Sequence, residues 1–117
     1  MKVIIADDSR LMRERIREAI STFRGVEIVS ETDTGLKTLE ELNKHCPDLA
    51  IIDIRMPDKN GLEVMKEFRT KNKTTKIIIL TNYAYDQYKD RAFENGADYF
   101  FGKSEDFEKI ADFMDNF

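Results

Sequence analysis

At 117 residues, 41% hydrophobic and 36% charged with a net charge of -4, the chain is sized for one globular domain and excludes a second core. Its single cysteine, Cys46, excludes an internal disulfide and fits a reducing cytoplasm, and the acidic balance argues against direct binding to nucleic acid. No apolar run approaches the ~20 residues needed to cross a bilayer, and Met1-Lys2-Val3 leads straight into a strand-like run instead of a signal peptide.

Strand-like and helix-like patterns alternate from end to end. Val3–Ala6 is predicted as the first strand, followed by the acidic pair Asp7-Asp8. Next comes a helix whose Met12, Ile16, Ala19, Ile20 and Phe23 share one face. Val26–Ser30 reads as the second strand, and Leu36, Leu39 and Leu42 mark the second helix, with Pro47 as a sharp stop after it. Leu49–Asp53 is the third strand, and Leu62, Met65 and Phe68 mark the helix that follows. Ile77–Thr81 is the fourth, and Ala84–Asn95 its helix, closed by Gly96 at the C′ position. Asp98–Phe101 is the fifth. The last helix places Phe107, Ile110, Ala111 and Met114 at i, i+3, i+4 and i+7, with Ser104 as its expected N-cap and Glu105 and Asp106 in its first turn.

The first, third and fourth strands are continuous and rich in Ile and Val, the composition of strands covered on both faces. The expected architecture is therefore three-layer α/β. Right-handed (βα)₅ crossovers place helices on both faces of a five-stranded parallel sheet.

Four of these runs end in residues suited to phosphate chemistry: Asp7-Asp8, Asp53, Thr81 and Gly102-Lys103. In a parallel sheet such ends share one edge, where open α/β sheets place their ligands. Asp7, Asp8 and Asp53 bring three negative charges and Lys103 one positive charge. Carboxylates crowded in this way push one another's pKa upward. A hard cation such as Mg²⁺, bound by carboxylates, waters and phosphate oxygens, cancels the excess. Phosphoryl transfer then needs an in-line nucleophile and stabilisation of the equatorial oxygens. An aspartate can be that nucleophile and carry an acyl phosphate. Lys103 can pair with one phosphoryl oxygen and Thr81 can donate its hydroxyl to another.

In order, these residues are Asp7-Asp8, then Pro47-Asp48-Leu49…Asp53-Ile54-Arg55-Met56-Pro57 with Gly61 eight positions past the aspartate, Thr81, and Gly96-Ala97-Asp98…Lys103. With them the chain resembles, along its whole length, the receiver domain of bacterial two-component response regulators, the CheY-like superfamily. The resemblance implies a flavodoxin-like fold with strand order 2-1-3-4-5, and residues 1–117 as one receiver domain with no output domain. It implies that Asp53 is the phosphoacceptor and that Mg²⁺ is held by Asp7, Asp8, Asp53 and the backbone carbonyl of Arg55. Lys103 then contacts the phosphoryl group. Thr81 swings inward to bond it, opening space that the switch aromatic, Phe100, fills. The implied donor is a histidine kinase or a histidine phosphotransfer protein, docking on the first helix at Leu11 and Met12. With the chain ending at Phe117, output is expected through changed contacts with a further protein, without nucleic acid or membrane.

Several positions depart from the family pattern. Phe100 stands where tyrosine is usual, and Lys103-Ser104 replaces Lys-Pro, which makes a trans bond plausible there and leaves cis and trans both open. Asn82 stands where a small residue is general, narrowing the way in for a donor. Arg55 and Tyr83 flank the position of the attacking water, so slow self-dephosphorylation is expected. The last helix carries Glu105, Asp106, Glu108, Asp112 and Asp115 against Lys109, and so lacks the basic residues of one dimerising subclass.

Two rival chemistries lack their residues. A haloacid-dehalogenase-like phosphohydrolase needs a second aspartate two places after the nucleophile, where Arg55 stands. A flavodoxin-type flavin carrier needs a Ser/Thr/Gly-rich loop after the first strand, where Asp7-Asp8 stands. The expected function is a signalling phosphoacceptor, not an enzyme acting on other molecules. His45-Cys46 reads as a helix-end histidine beside a semi-buried thiol, and Tyr83, Tyr85 and Tyr88 as an aromatic cluster around the fourth helix, open between a partner surface and partly buried rings. Arg10, Arg13 and Arg17, interleaved with Glu14 and Glu18, read as a solvated stripe with intrahelical pairs.

Overall fold

A computed structural model describes residues 1–82 and 86–117. Five strands alternate with five helices: β1 (Lys2–Ala6), α1 (Arg10–Ser21), β2 (Glu27–Thr32), α2 (Gly35–His45), β3 (Leu49–Ile52), α3 (Gly61–Arg69), β4 (Lys76–Thr81), α4 (Asp86–Glu94), β5 (Tyr99–Gly102) and α5 (Lys109–Asn116). The strands form one sheet in the order β2-β1-β3-β4-β5, and every pairing is parallel. This is the doubly wound arrangement anticipated from the alternation of patterns.

The three central strands explain the two cores. Alternate residues of a strand point to opposite faces, so Val3, Ile5, Leu49, Ile51, Ile78 and Leu80 pack under α1 and α5 with Ile16, Ile20, Ile110 and Met114. Ile4, Ala6, Ala50, Ile52, Ile77 and Ile79 pack on the other face with Leu42, Leu62, Met65, Phe68 and Ala92 of α2, α3 and α4. Strands between two such layers have no solvated face, which is why their sequences read as unbroken apolar runs.

The helix ends follow local chemistry. Ser9 caps α1 by accepting from the Met12 N–H, and Thr34 caps α2 through Lys37. Asn60 and Glu63 form a reciprocal capping box at α3. Cys46, in the left-handed conformation, ends α2, so its thiol is exposed instead of semi-buried. Beside it His45 Nε2 lies 3.9 Å from Glu41.

Every strand differs from expectation by a residue or two at one or both ends, and four differences have a clear structural setting. β2 runs on to Thr32 although Glu31 and Thr32 read as polar, because the Thr32 hydroxyl is buried at 2.7 Å from that of Thr38. β5 extends to Gly102. Ser104 does not cap α5. Asp106 instead turns the chain back on the strand: its carboxylate accepts from the Gly102 N–H at 2.9 Å and its own N–H donates to the Gly102 carbonyl, so α5 begins only at Lys109. Of the fourth helix expected over Ala84–Asn95, Asp86–Glu94 is helical, and position 84 lies outside the described residues. So do Tyr83 and Tyr85. The arginine stripe is only partly intrahelical: Arg10 pairs with Glu14, but Arg17 forks onto Glu31 of β2 at 2.7 and 2.8 Å, and Arg13 also reaches Glu31.

Candidate functional site

The sheet's hydrogen bonding continues one residue past three of its strand ends, and those extra residues are the charged ones. Asp7 N–H donates to the Thr32 carbonyl, Asp53 N–H to Ala6 and Lys103 N–H to Thr81, at 3.0, 2.9 and 2.9 Å. Asp7, Asp53 and Lys103 are thus held in register at the C-terminal edge, beside Thr81 at the end of β4. Asp7, Asp53, Thr81 and Lys103 are all buried, and Asp8 is exposed.

One carboxylate oxygen from each of Asp7, Asp8 and Asp53 lies within 4.8 Å of the others. Lys103 Nζ donates to Asp53 Oδ2 at 3.0 Å. It also sits 2.6 Å from Asp7 Oδ2, forming an ion pair with it. The remaining oxygens are tied to backbone: Ser9 N–H donates to Asp7 Oδ1 at 2.8 Å, and Ile54 N–H to Asp53 Oδ1 at 2.7 Å. Asp7 Oδ2 is therefore a buried oxygen shared with the Lys103 ammonium, which also serves Asp53.

The electrostatics follow from this crowding. Burial pushes the Asp53 carboxyl above its usual range. Lys103 pulls it back in part, and Asp7 adds to the rise. Burial works against the Lys103 ammonium too, but the contacts with Asp7 and Asp53 outweigh it and its pKa is raised. One ammonium does not neutralise three carboxylates. The buried Asp7 oxygen and the all-oxygen donor set are what a small hard cation requires.

Grooves flank the acids on two sides. One, of about 320 Å³, is lined by Met12, Arg15, Asn82, Lys103 and Phe107; the other, of about 440 Å³, by Asp8, Arg55, Met56, Asn60 and Tyr88. Phe100 is half-buried and packs with the α3–α4 core, while Tyr99 points to the opposite face and meets Phe113 edge-on, ring centres 4.9 Å apart. Strand alternation predicts this split. Leu11 is 68% exposed, whereas Met12 is half-buried against the α1–α5 core, so only the first offers an open side chain. The Lys103–Ser104 bond is trans.

Two residues have structural roles that the sequence left unassigned. A Cβ at Gly61 would lie 2.1 Å from the Asp53 carbonyl oxygen, so only glycine lets α3 start against the acid. Arg13 Nη1 donates to the backbone carbonyl of Asp7. Its signal was present: at 100° per residue, position 13 falls within about 60° of Ile16 and Ile20, on the border of the buried face.

Residues 3–115 match the family model for the response regulator receiver domain. The chain belongs to this family. As a receiver domain it is a phosphoacceptor module of two-component systems, in a family that generally depends on Mg²⁺. It is 36% identical over 110 residues to the sensory transduction protein LytT of Bacillus anthracis, covering 94% of this chain and 44% of that protein. The receiver domain of NarL from Mycobacterium tuberculosis superposes with a TM-score of 0.89 at 29% identity, covering 98% of this chain and 93% of that one. That of Thermotoga maritima CheB gives 0.85 at 26% identity, covering 99% and 91%. The strand order is that of the CheY-like flavodoxin fold. The chain spans about half the length of the curated relatives it matches, or less. Among the described residues no helix is long and apolar enough to cross a membrane.

Proposed function

We propose that Asp53 accepts a phosphoryl group from a phosphohistidine of a histidine kinase or histidine phosphotransfer protein. One observation carries the reading. The Asp53 carboxylate sits 3.0 Å from Lys103 Nζ, inside a cluster of three acids whose buried Asp7 Oδ2 faces the same ammonium at 2.6 Å.

The side chains of Asp7, Asp8 and Asp53 and the backbone carbonyl of Arg55 are the donors for Mg²⁺. When bound, Mg²⁺ supplies the positive charge that lets a phosphate approach three carboxylates. The chain's own residues do the rest. Asp53 is fixed by the Ile54 N–H and the Ala6 carbonyl, so its carboxylate is aimed before the donor arrives. A carboxylate oxygen bonds to phosphorus as the P–N bond of the donor breaks, and the electron pair returns to the imidazole nitrogen. Lys103 pairs with one equatorial oxygen, and Thr81, at the end of β4, donates to another. Movement of Thr81 toward the phosphoryl group frees volume for Phe100, coupling one covalent charge change to the α4–β5 surface. Phe100 lacks a hydroxyl, so its two positions differ by packing alone.

Leu11, with Met12 beside it, is the docking patch for the donor at the mouth of the acid cluster. The output is a changed set of contacts with a downstream protein, without direct nucleic-acid binding. The protein works in the cytoplasm, as a phosphoacceptor whose chemistry is confined to its own phosphotransfer and slow dephosphorylation. Arg55, which lines the groove beside Asp8, is the described residue placed to hinder attacking water.

Incubation with acetyl phosphate tests the assignment. One acid-stable, base-labile phosphoryl adduct is expected, dependent on Mg²⁺ and absent from Asp53→Asn. Lys103→Ala and Thr81→Ala are still modified but switch more weakly. An adduct undiminished in Asp53→Asn assigns the acceptor elsewhere.

A further inference from the structure

We propose that Arg13 is a positioning residue for the metal site, fixing the peptide that joins Asp7 to Asp8. The inference rests on the reading of these two aspartates as metal ligands. They are adjacent in the chain, so the directions in which their carboxylates leave the backbone are set by one peptide plane. That plane lies beyond the last residue of β1, where the regular ladder no longer holds it.

Arg13 supplies the hold. Its Nη1 donates to the Asp7 carbonyl, on the far side of the residue from the bond between Asp7 N–H and the Thr32 carbonyl. Asp7 is thereby pinned at both of its backbone groups while its side chain is pinned at Oδ1 by Ser9. The arginine is itself constrained. Its side chain is 17% exposed, its Nε lies 3.6 Å from Glu31 Oε1, and the same Glu31 carboxylate is gripped by the two-pronged contact from Arg17. An arginine suits the role because a planar fork can face a carbonyl and a carboxylate at once. Glu31 directly precedes Thr32, so the brace and the Thr32 carbonyl come from one stretch of β2.

The expected effect runs against simple electrostatics, which makes the idea testable. A cation beside a Mg²⁺ site repels the metal, so deleting Arg13 for charge reasons alone tightens binding. A residue that orients the ligands does the opposite, and groups that orient metal ligands are worth tenfold to a hundredfold in affinity.

Mg²⁺ is titrated calorimetrically into the intact protein and into Arg13→Gln, Arg13→Lys and Arg17→Gln, each first shown folded by its circular dichroism melt. Positioning predicts the affinity order parent, then Arg13→Lys, then Arg13→Gln, with Arg13→Gln about tenfold or more weaker. Arg17→Gln, one step removed, shifts affinity by a few-fold at most. Lysine restores the charge yet recovers affinity, because it can still donate to the carbonyl. The reverse order, with Arg13→Gln binding as tightly as the parent or tighter, overturns the proposal. If Arg13→Gln does not fold, Arg13→Lys against the parent decides by the same sign. Absence of Mg²⁺ binding by the parent itself overturns the metal-site reading first, and this inference with it.

Discussion

Asp53 is held in a state that costs the fold something. Its carboxyl titrates above the ordinary range, chiefly because burial disfavours the anion and then because Asp7 adds negative charge, with Lys103 offsetting only part. A raised pKa means that the folded chain binds the proton more tightly than the unfolded chain. The stabilising contribution is therefore full below the unfolded value, about 3.9 for aspartate, and is lost as pH rises through the higher folded value. At neutral pH the ionised side chain is a net burden that asparagine does not carry, while Lys103 keeps Asp7 as a partner. Asp53→Asn should then unfold at a higher temperature than the parent at pH 7 in EDTA, with the gap closing as the pH is lowered through the folded pKa. Melting curves across about pH 4 to 8 check this. A parent more stable than the variant at neutral pH contradicts the sign.

The elements around the acid show why some of the site was readable and some was not. The acids, Thr81 and Lys103 were legible because each ends an apolar run, and β-strand length is easy to see when both faces are buried. Gly61 was legible only as a spacing. Its reason is three-dimensional: α3 begins so close to the end of β3 that a methyl group would meet the Asp53 carbonyl. The Gly61 N–H also donates to the Ile54 carbonyl at 2.7 Å, so the approach is fixed by backbone and cannot relax through a side chain. Gly61→Ala should destabilise the domain by about 1–3 kcal/mol and slow the proposed phosphorylation at Asp53 through displacement of its carbonyl. Urea unfolding and acetyl phosphate kinetics on one sample test both effects. An alanine variant with parental stability removes the close-approach argument. Ser104 shows the opposite failure. Serine before two acids is a good local cap signal, but Asp106 makes competing bonds to Gly102 and defers the helix, a contest that local pattern does not reveal. Arg13 and Arg17 differ from the expected intrahelical pairs for a related reason, because their acceptors lie outside the helix, at Asp7 just after β1 and at Glu31 on β2.

At the scale of the whole molecule, the sheet acts as a frame that concentrates like charge at one edge. Residues from four strand ends, separated by up to 96 positions from Asp7 to Lys103, meet there because all strands run the same way. Parallel strands leave no choice about which edge receives the residues after each run, so the acids are brought together whether or not this favours folding. A ligand that relieves that charge must stabilise the whole chain, since it binds the assembled edge and not the unfolded polymer. By mass action, Mg²⁺ at a hundred times its dissociation constant adds about 2.7 kcal/mol to unfolding. For a domain of this size that corresponds to roughly 10 °C in melting temperature. The rise should follow the logarithm of Mg²⁺ concentration above saturation. It should shrink strongly in Asp8→Asn, which removes the exposed acid of the proposed site without disturbing the buried Lys103 contacts. Potassium chloride at matched ionic strength separates site binding from screening, because screening acts on the exposed charges throughout the surface while the site responds to the divalent ion alone. Equal stabilisation by both salts would leave the acidic edge without a specific ion, and the three carboxylates as a cost the fold bears unaided.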